Sequence, residues 1–372
     1  MKFIYRIALA VAVAATMLAA DAETHAKSRH ASEMKNATAP VVTELKVTIM
    51  SYNVHLFGDL NNDLVKEIAN SKEKVSYQDK LRTDELIKKL LASDADIVVL
   101  QEMWDQSLAR RIKEGVKSKY PNGWRPGKDP SFDLWEAMTE HDVSKITKVL
   151  GSGIMILARG NYRIYDKDFD EYDDLQGVDR LARKGYSKVL CSTNVSGKLV
   201  GFALIVTHAQ TGANQNYNVV RQGAIKLRTK ALNVRKNNPG FPVIVAGDFN
   251  IKAEESDGSQ TSVYKTLLVQ EFGEAKLEDT WRILFKNASQ DPGFTVDPQN
   301  TFAKNMVGKS EENKKRIDYI FFNRASLDGT TSVHPLSVTI IKDYKYQDPD
   351  KKSANDLSDH YPLKATLAIQ VK

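Results

Sequence analysis

Short apolar runs rich in Val, Ile and Leu recur along the chain, and most of them stop at a polar residue. LKVTIMSYNV, ADIVVLQEM, SGIMILAR, SKVLCSTNV, KLVGFALIVTH, PVIVAGDFN, KRIDYIFF, LSVTII and LKATLAIQV each have the length and β-branched content of a buried or half-buried strand. Segments with helical spacing lie between them: 80–91 precedes DIVVL, and 219–234 precedes PVIVAG. This alternation is mixed with hairpin-like neighbours such as SKVLCSTNV and KLVGFALIVTH. The mixture predicts a layered α/β sandwich with mixed sheets rather than an all-parallel doubly wound sheet.

With 372 residues and 42% hydrophobic content, the chain can bury one large core or two smaller ones. No repeat, linker or abrupt composition shift interrupts it from Glu44 onward, so 44–372 reads as one domain. The net charge of +6 is a mild basic balance. It suits an anionic partner, nucleic acid or an acidic membrane surface, without selecting one.

The first residues follow another logic. Lys2 and Arg6 precede an apolar stretch from Ile7 to Ala20, and Ala20-Asp21-Ala22 is a small-x-small cleavage pattern. That predicts a signal peptide over 1–22, with an N-terminal membrane anchor as the other reading. A polar leader without periodicity follows over 23–43. The expected location is therefore secreted or periplasmic. Cys191 is the only cysteine, so no internal disulfide staples the fold.

Polar residues stand at or near the ends of the apolar runs: Asn53, Glu102, His208, Asp248 and Asn250, Asp318, and Asp359-His360. In layered α/β folds, ligands gather at such strand ends. Each residue also has a structural reading. Asn53 and Asp359 suit caps, GDFN suits a tight turn, His208 suits a satisfied core position, and Asp318 suits a pair with Lys315 or Arg316. Those readings do not account for the whole ordered set.

The ordered set SYN, LQE, VTH, AGDFN, RIDYI and LSDH resembles the endonuclease/exonuclease/phosphatase superfamily over about residues 45–372. The resemblance implies a DNase I-like fold: a four-layer α/β sandwich of two mixed β-sheets flanked by helices. THAQTG at 207–212, and Gly177 to Leu181 leading into Lys184-Gly185, look like the neutral and bacterial sphingomyelinase C branch. The phosphatase branch's tryptophan before GDxN and its CDR segment are missing here. Secreted DNase I-type nucleases share the core residues but usually carry a disulfide. Bacterial sphingomyelinases commonly have an aromatic membrane hairpin before the last motif. The matching stretch here, IIKDYKYQDPDKKSANDLSDH, is mainly charged, with Tyr344 and Tyr346. It is readable as an interfacial segment or as a solvated loop.

The resemblance implies a function. Glu102, with Asn53 beside it, would hold Mg²⁺, or Mn²⁺ or another divalent cation in its place, because oxygen ligands suit such ions. His360 would be the base that takes a proton from water, and Asp318 its partner, with Asp359 on the metal and water side. Asp248 and Asn250, two apart on an extended segment, would point the same way and grip water or phosphate. His208 would donate a hydrogen bond to phosphate or assist the leaving group. Lys184 and Gln210 would contact substrate. The expected enzyme is a secreted Mg²⁺-dependent phosphodiesterase hydrolysing sphingomyelin to ceramide and phosphocholine. Its partner would be a phospholipid at a membrane surface, with no obligate protein partner. A secreted DNase I-like nuclease, acting on nucleic acid, is the alternative. A non-catalytic lipid- or surface-binding protein on the same fold is the third reading.

Overall fold

The structure is a computed structural model and describes residues 43–58, 78–127, 150–212, 216–255, 257–307, 314–349 and 353–372. The expected signal peptide, and the expected leader up to its last residue, lie outside the described residues. In chain order the elements that build the site are β1 (Thr43–Leu56), α1 (Asp79–Ala92), β2 (Ile97–Met103), α2 (Gln106–Gly115), β3 (Asn122–Trp124) and β4 (Met155–Ala158). These are followed by β5 (Arg163–Glu171), β6 (Gly185–Val195), β7 (Lys198–His208), α3 (Tyr217–Asn237), β8 (Val243–Asp248) and β9 (Leu277–Asp279). The chain closes with β10 (Asp318–Asn323), β11 (Thr331–Ile340), β12 (Lys345–Asp348), β13 (Ser353–Asp356) and β14 (Leu363–Val371).

Two six-stranded sheets form, in the orders β11-β14-β1-β2-β4-β3 and β5-β6-β7-β8-β10-β9. Each is mixed. β1 runs parallel to β2, and β7 runs parallel to β8, while the other described pairings in the two sheets are antiparallel. The sheets close face to face over Val47, Ile49, Ile97 and Val99 from one and Leu204, Val206, Ile244 and Phe322 from the other. Each such side chain, fully buried, contributes about 1.5–3 kcal/mol of hydrophobic stabilisation. On the outer face of the first sheet, Leu86 and Leu90 of α1 and Leu108 and Ile112 of α2 cover Met50, Val98 and Leu100. On the outer face of the second, Val220, Leu227 and Val234 of α3 cover Ile205, Val245 and Phe321. The result is the four-layer sandwich with mixed sheets that the sequence predicted.

Some elements were not expected. β5 is RIYDKDFDE, an edge strand whose exposed charges leave no apolar pattern to read. α2 begins at the Asp105 cap, whose carboxylate accepts from the Leu108 N–H at 2.8 Å. Tyr344 and Tyr346 correct the reading of their stretch. Both are buried, and Tyr344 packs edge-on against Tyr52 with ring centroids 5.8 Å apart. They complete the core on the outer face of the first sheet, and neither ring is presented to solvent or to a bilayer.

Candidate active site

Side chains alternate along a strand, so each face of a strand carries one residue parity. On β7, Leu204 and Val206 point between the sheets and His208 is next in that row. On β8 the row is Ile244, Ala246, Asp248; on β10, running the other way, it is Phe322, Ile320, Asp318. On β1, Val47 and Ile49 lead to Ser51 and Asn53. The inter-sheet face is therefore apolar along most of its length and polar at one end. Register completes the grouping, because His208 pairs with Asp248 and Asp248 with Asp318. Gly247 lets β8 lie this close to β7: its φ is +149°, and a Cβ there would sit 2.0 Å from the Thr207 carbonyl oxygen.

Glu102 belongs to the wrong row, since Ile97 and Val99 are the inward residues of β2. It reaches the site through a left-handed backbone with φ of 56°. Such a conformation costs about 1–2 kcal/mol for a residue with a Cβ. The neighbouring β1 is irregular between Asn53 and Leu56, with His55 also left-handed at φ 48°. Asn250 corrects the expectation of an extended segment. Its φ is 53°, its N–H donates to Asp248 Oδ1 at 2.8 Å, and its Nδ2 donates to the Ala209 carbonyl at 3.1 Å. Asparagine tolerates this turn because its short side chain bonds locally.

The assembled geometry links both sheets. Asn53 Nδ2 donates to Glu102 Oε1 at 2.9 Å and to Asp248 Oδ2 at 3.0 Å. Asn53 Oδ1 accepts from the His55 N–H at 3.2 Å, so in this arrangement the amide stands as a donor between two acids. His360 Nδ1 lies 2.8 Å from Asp318 Oδ2, and its Nε2 lies 3.9 Å from Asp248 Oδ2. His208 Nε2 lies 3.6 Å from Glu102 Oε1 and 3.9 Å from Asp248 Oδ2. Ser358 Oγ donates to the Asn53 carbonyl at 2.7 Å and pins the turn that carries His360 to β1. Asp359 Oδ1 stands 3.7 Å from His55 Nδ1.

The electrostatics follow from burial and neighbours. Burial opposes charge on His360, but the carboxylates of Asp318, Asp359 and Asp248 outweigh it and hold the imidazolium well above the usual histidine range. Burial pushes His208 the other way, to about 3, helped by the Lys184 ammonium, so this ring is neutral. Burial and the Asp318 charge push Asp248 up to about 7. Burial also works against the charge of Glu102, yet the hydrogen bond and charge of His55, with the Lys184 ammonium, hold it well below the usual carboxylate range.

This set fits a divalent cation. Glu102, His208 and Asp248 offer ligand atoms all within 4.8 Å of one another, as do Asp248, Asp318 and His360. Both nitrogens of the fully buried His208 ring, and Asp318 Oδ1, have no hydrogen-bond partner. Such orphaned buried polar atoms call for a ligand, and adjacent buried acids call for positive charge.

Lys184 and Gln210 flank this centre. Lys184 Nζ pairs with Asp179 Oδ1 at 2.8 Å and donates to the Ala209 carbonyl. Gln210 spends its amide on the loop at 176: its Oε1 accepts from the Gln176 N–H at 2.8 Å, and its Nε2 donates to the Gln176 and Thr211 carbonyls. It is 3% exposed, so it shapes the rim rather than facing a substrate. Sequence reasoning missed His55, whose Nδ1 lies 3.0 Å from Glu102 Oε2. It also missed Arg82, which is 1% exposed and donates to the Val54, His55 and Leu357 carbonyls and to Asp79. Arg82 thereby ties the end of β1 to the approach to His360. The NVH tripeptide was a weak signal for His55; nothing local signals Arg82.

Carboxylates and imidazoles thus gather at the ends of two facing parallel strand pairs in a four-layer α/β sandwich. Residues 50–360 match the Endonuclease/Exonuclease/phosphatase family, and the chain belongs to it. A phospholipase C of Staphylococcus aureus is 26% identical over 281 residues, spanning 73% of this chain and 75% of that protein. The crystal structure of sphingomyelinase C from Streptomyces griseocarneus is similar at a TM-score of 0.57 and 18% identity, covering 87% of this chain and 99% of the other. A beta toxin variant from Staphylococcus aureus with bound magnesium ions gives 0.55 at 20% identity, covering 86% and 99%. D. rerio TDP2 complexed with single-strand DNA product gives 0.54 at 19% identity, covering 87% and 98%. At these identities the structural likenesses establish the fold. Among the described residues, no helix is long and apolar enough to cross a membrane.

Proposed function

We propose that this protein is an exported, Mg²⁺-dependent phosphodiesterase of the sphingomyelinase C type, cleaving sphingomyelin to ceramide and phosphocholine. The observation that carries the reaction is the His360–Asp318 pair, 2.8 Å apart, opening onto the carboxylates of Glu102 and Asp248. The phospholipase C relative supports a phospholipid as substrate. Once a cation offsets the acids that otherwise hold the ring protonated, His360 Nε2 would take the proton of the attacking water while Asp318 Oδ2 accepts from Nδ1–H; the P–O bond to ceramide breaks, and its oxygen would take a proton from the imidazolium or from solvent. His208, kept neutral by burial, serves as a hydrogen-bond donor to the phosphate and not as a source of protons. Glu102 and Asp248 would hold the cation, whose charge neutralises the phosphodiester. Asp359 and Asn250 border the same space. Asn53 fixes both acids, and rotating its amide would present oxygen instead, at the cost of its bond from the His55 N–H.

The test is phosphocholine release from sphingomyelin vesicles by residues 23–372, with Mg²⁺ and with EDTA. Magnesium-dependent release is expected. The second reading, a nuclease, has the TDP2 likeness in its favour. Nicking of supercoiled plasmid without any phosphocholine release would put that reading in its place.

A further inference from the structure

A cavity of ≈ 250 Å³ opens on the outer face of the first sheet, between α2, the edge strand β3 and its neighbour β4. Its floor is Ala109, Met155 and Leu157. Gly123 leaves it open: this glycine pairs with Leu157, and a Cβ there would already touch Leu157 Cδ2 at 3.4 Å. Arg110, Lys113 and Arg125 line the rim, and among the described residues no acidic side chain does.

The charges around it are treated differently elsewhere on the same helix. Arg111 pairs with Asp84 at 2.6 Å, and Glu114 pairs with Lys117 at 3.7 Å. Arg110 and Lys113, one turn apart on α2, have no acidic partner among the described residues. Like charges at that spacing repel. Arg125 is half-buried and anchored, because its Nη2 donates to the Met103 and Trp104 carbonyls at 3.2 and 3.5 Å. Those carbonyls belong to the two residues that follow Glu102 in the chain, so Arg125 ties the cavity rim to the end of β2.

We propose that this cavity binds the phosphate of an anionic phospholipid headgroup, holding the protein on acidic membrane beside its catalytic centre. Charge complementarity selects an anion. The apolar floor favours a phosphate joined to hydrocarbon over a bare ion, and an isolated cavity suits one headgroup better than the continuous backbone of a nucleic acid. The inference rests on the lipid reading of the active site for its choice of a membrane ligand.

The test is co-sedimentation of the full chain with phosphatidylcholine vesicles, with and without phosphatidylglycerol, in EDTA so that hydrolysis plays no part. Wild type should prefer the anionic vesicles. R110E/K113E should lose roughly tenfold or more in affinity for them, since each surface cation matters by about that order at an anionic bilayer. Gly123→Leu, which fills the cavity without altering charge, should weaken the same binding. Both variants should keep wild-type turnover on a soluble phosphodiester. Equal binding to both vesicle types, or undiminished binding by R110E/K113E, overturns the proposal. So does a cavity that takes inorganic phosphate or duplex DNA in preference to vesicles. Absence of sphingomyelin hydrolysis is a separate failure, and it leaves the binding result to stand by itself.

Discussion

Asp318 Oδ2 and His360 Nδ1 meet at 2.8 Å although 42 residues separate them in sequence. Asp318 opens β10 and His360 sits in the turn before β14, so the contact joins the two sheets. One carboxylate thus fixes the tautomer of the ring and leaves Nε2 facing Asp248 Oδ2. His360→Gln should lower phosphodiester turnover by about 10²–10⁴-fold with the fold retained. Asp318→Asn should lose activity over a similar range, because the amide no longer stabilises the imidazolium. Near-wild-type turnover in either variant, with an unchanged circular dichroism spectrum, would remove the base assignment.

Glu102 should decide cation affinity, and His55 should tune it. His55 Nδ1 holds Glu102 Oε2, which leaves Oε1 towards His208. Glu102→Gln should abolish the thermal stabilisation given by saturating Mg²⁺, which at a hundredfold excess over Kd amounts to about 2.7 kcal/mol. His55→Phe suits the neighbouring rings of Phe57 and Phe302 but removes the donor, and should weaken Mn²⁺ binding about 10–100-fold. His55→Gln should recover part of that loss. Mn²⁺ titration by electron paramagnetic resonance reads both. A packing role alone would change the melting temperature and leave the Mn²⁺ affinity where it was.

Cation binding should depend on pH. Burial and Asp318 raise Asp248 to about 7 in the cation-free protein. A cation binds the ionised carboxylate, so binding releases a proton and strengthens as pH rises through about 7. Below that value affinity should fall by up to about tenfold per pH unit. Calorimetric Mn²⁺ titrations at pH 6 and pH 8 measure it. Equal affinities would mean that Asp248 is already ionised or is no ligand.

Arg82 should matter for stability out of proportion to its distance from the chemistry. Its guanidinium is buried among backbone carbonyls and Asp79, with Phe302 stacked on it at 4.5 Å. Arg82→Met leaves those acceptors and Asp79 unpaired and should cost about 3–5 kcal/mol in urea unfolding. Arg82→Lys should not restore it, since one ammonium cannot span three carbonyl positions.

Much of this centre was legible because it obeys alternation. His208, Asp248 and Asp318 simply extend apolar rows, so reading each run to its end finds them. Glu102 was found by motif and not by parity, since a left-handed residue carries it across to the other face. Asn250 was misread as extended for the same reason. β5 was invisible because Ile164, Tyr165 and Phe169 are its only apolar residues, set among charges and out of strict alternation. Arg82 and the buried Tyr344 were invisible because their partners come from distant segments, and no window of sequence holds both sides of such a contact.

The shared row of core and site has a further consequence. A one-residue slip of a strand turns its face over and is punished by the core. A two-residue slip keeps every side chain on its proper face, so alternation alone does not forbid it, and Val206 would take the place of His208 beside Asp248. In this protein that error would take the His208 imidazole out of the centre. Activity therefore reports strand alignment directly, because the centre assembles only in the native register.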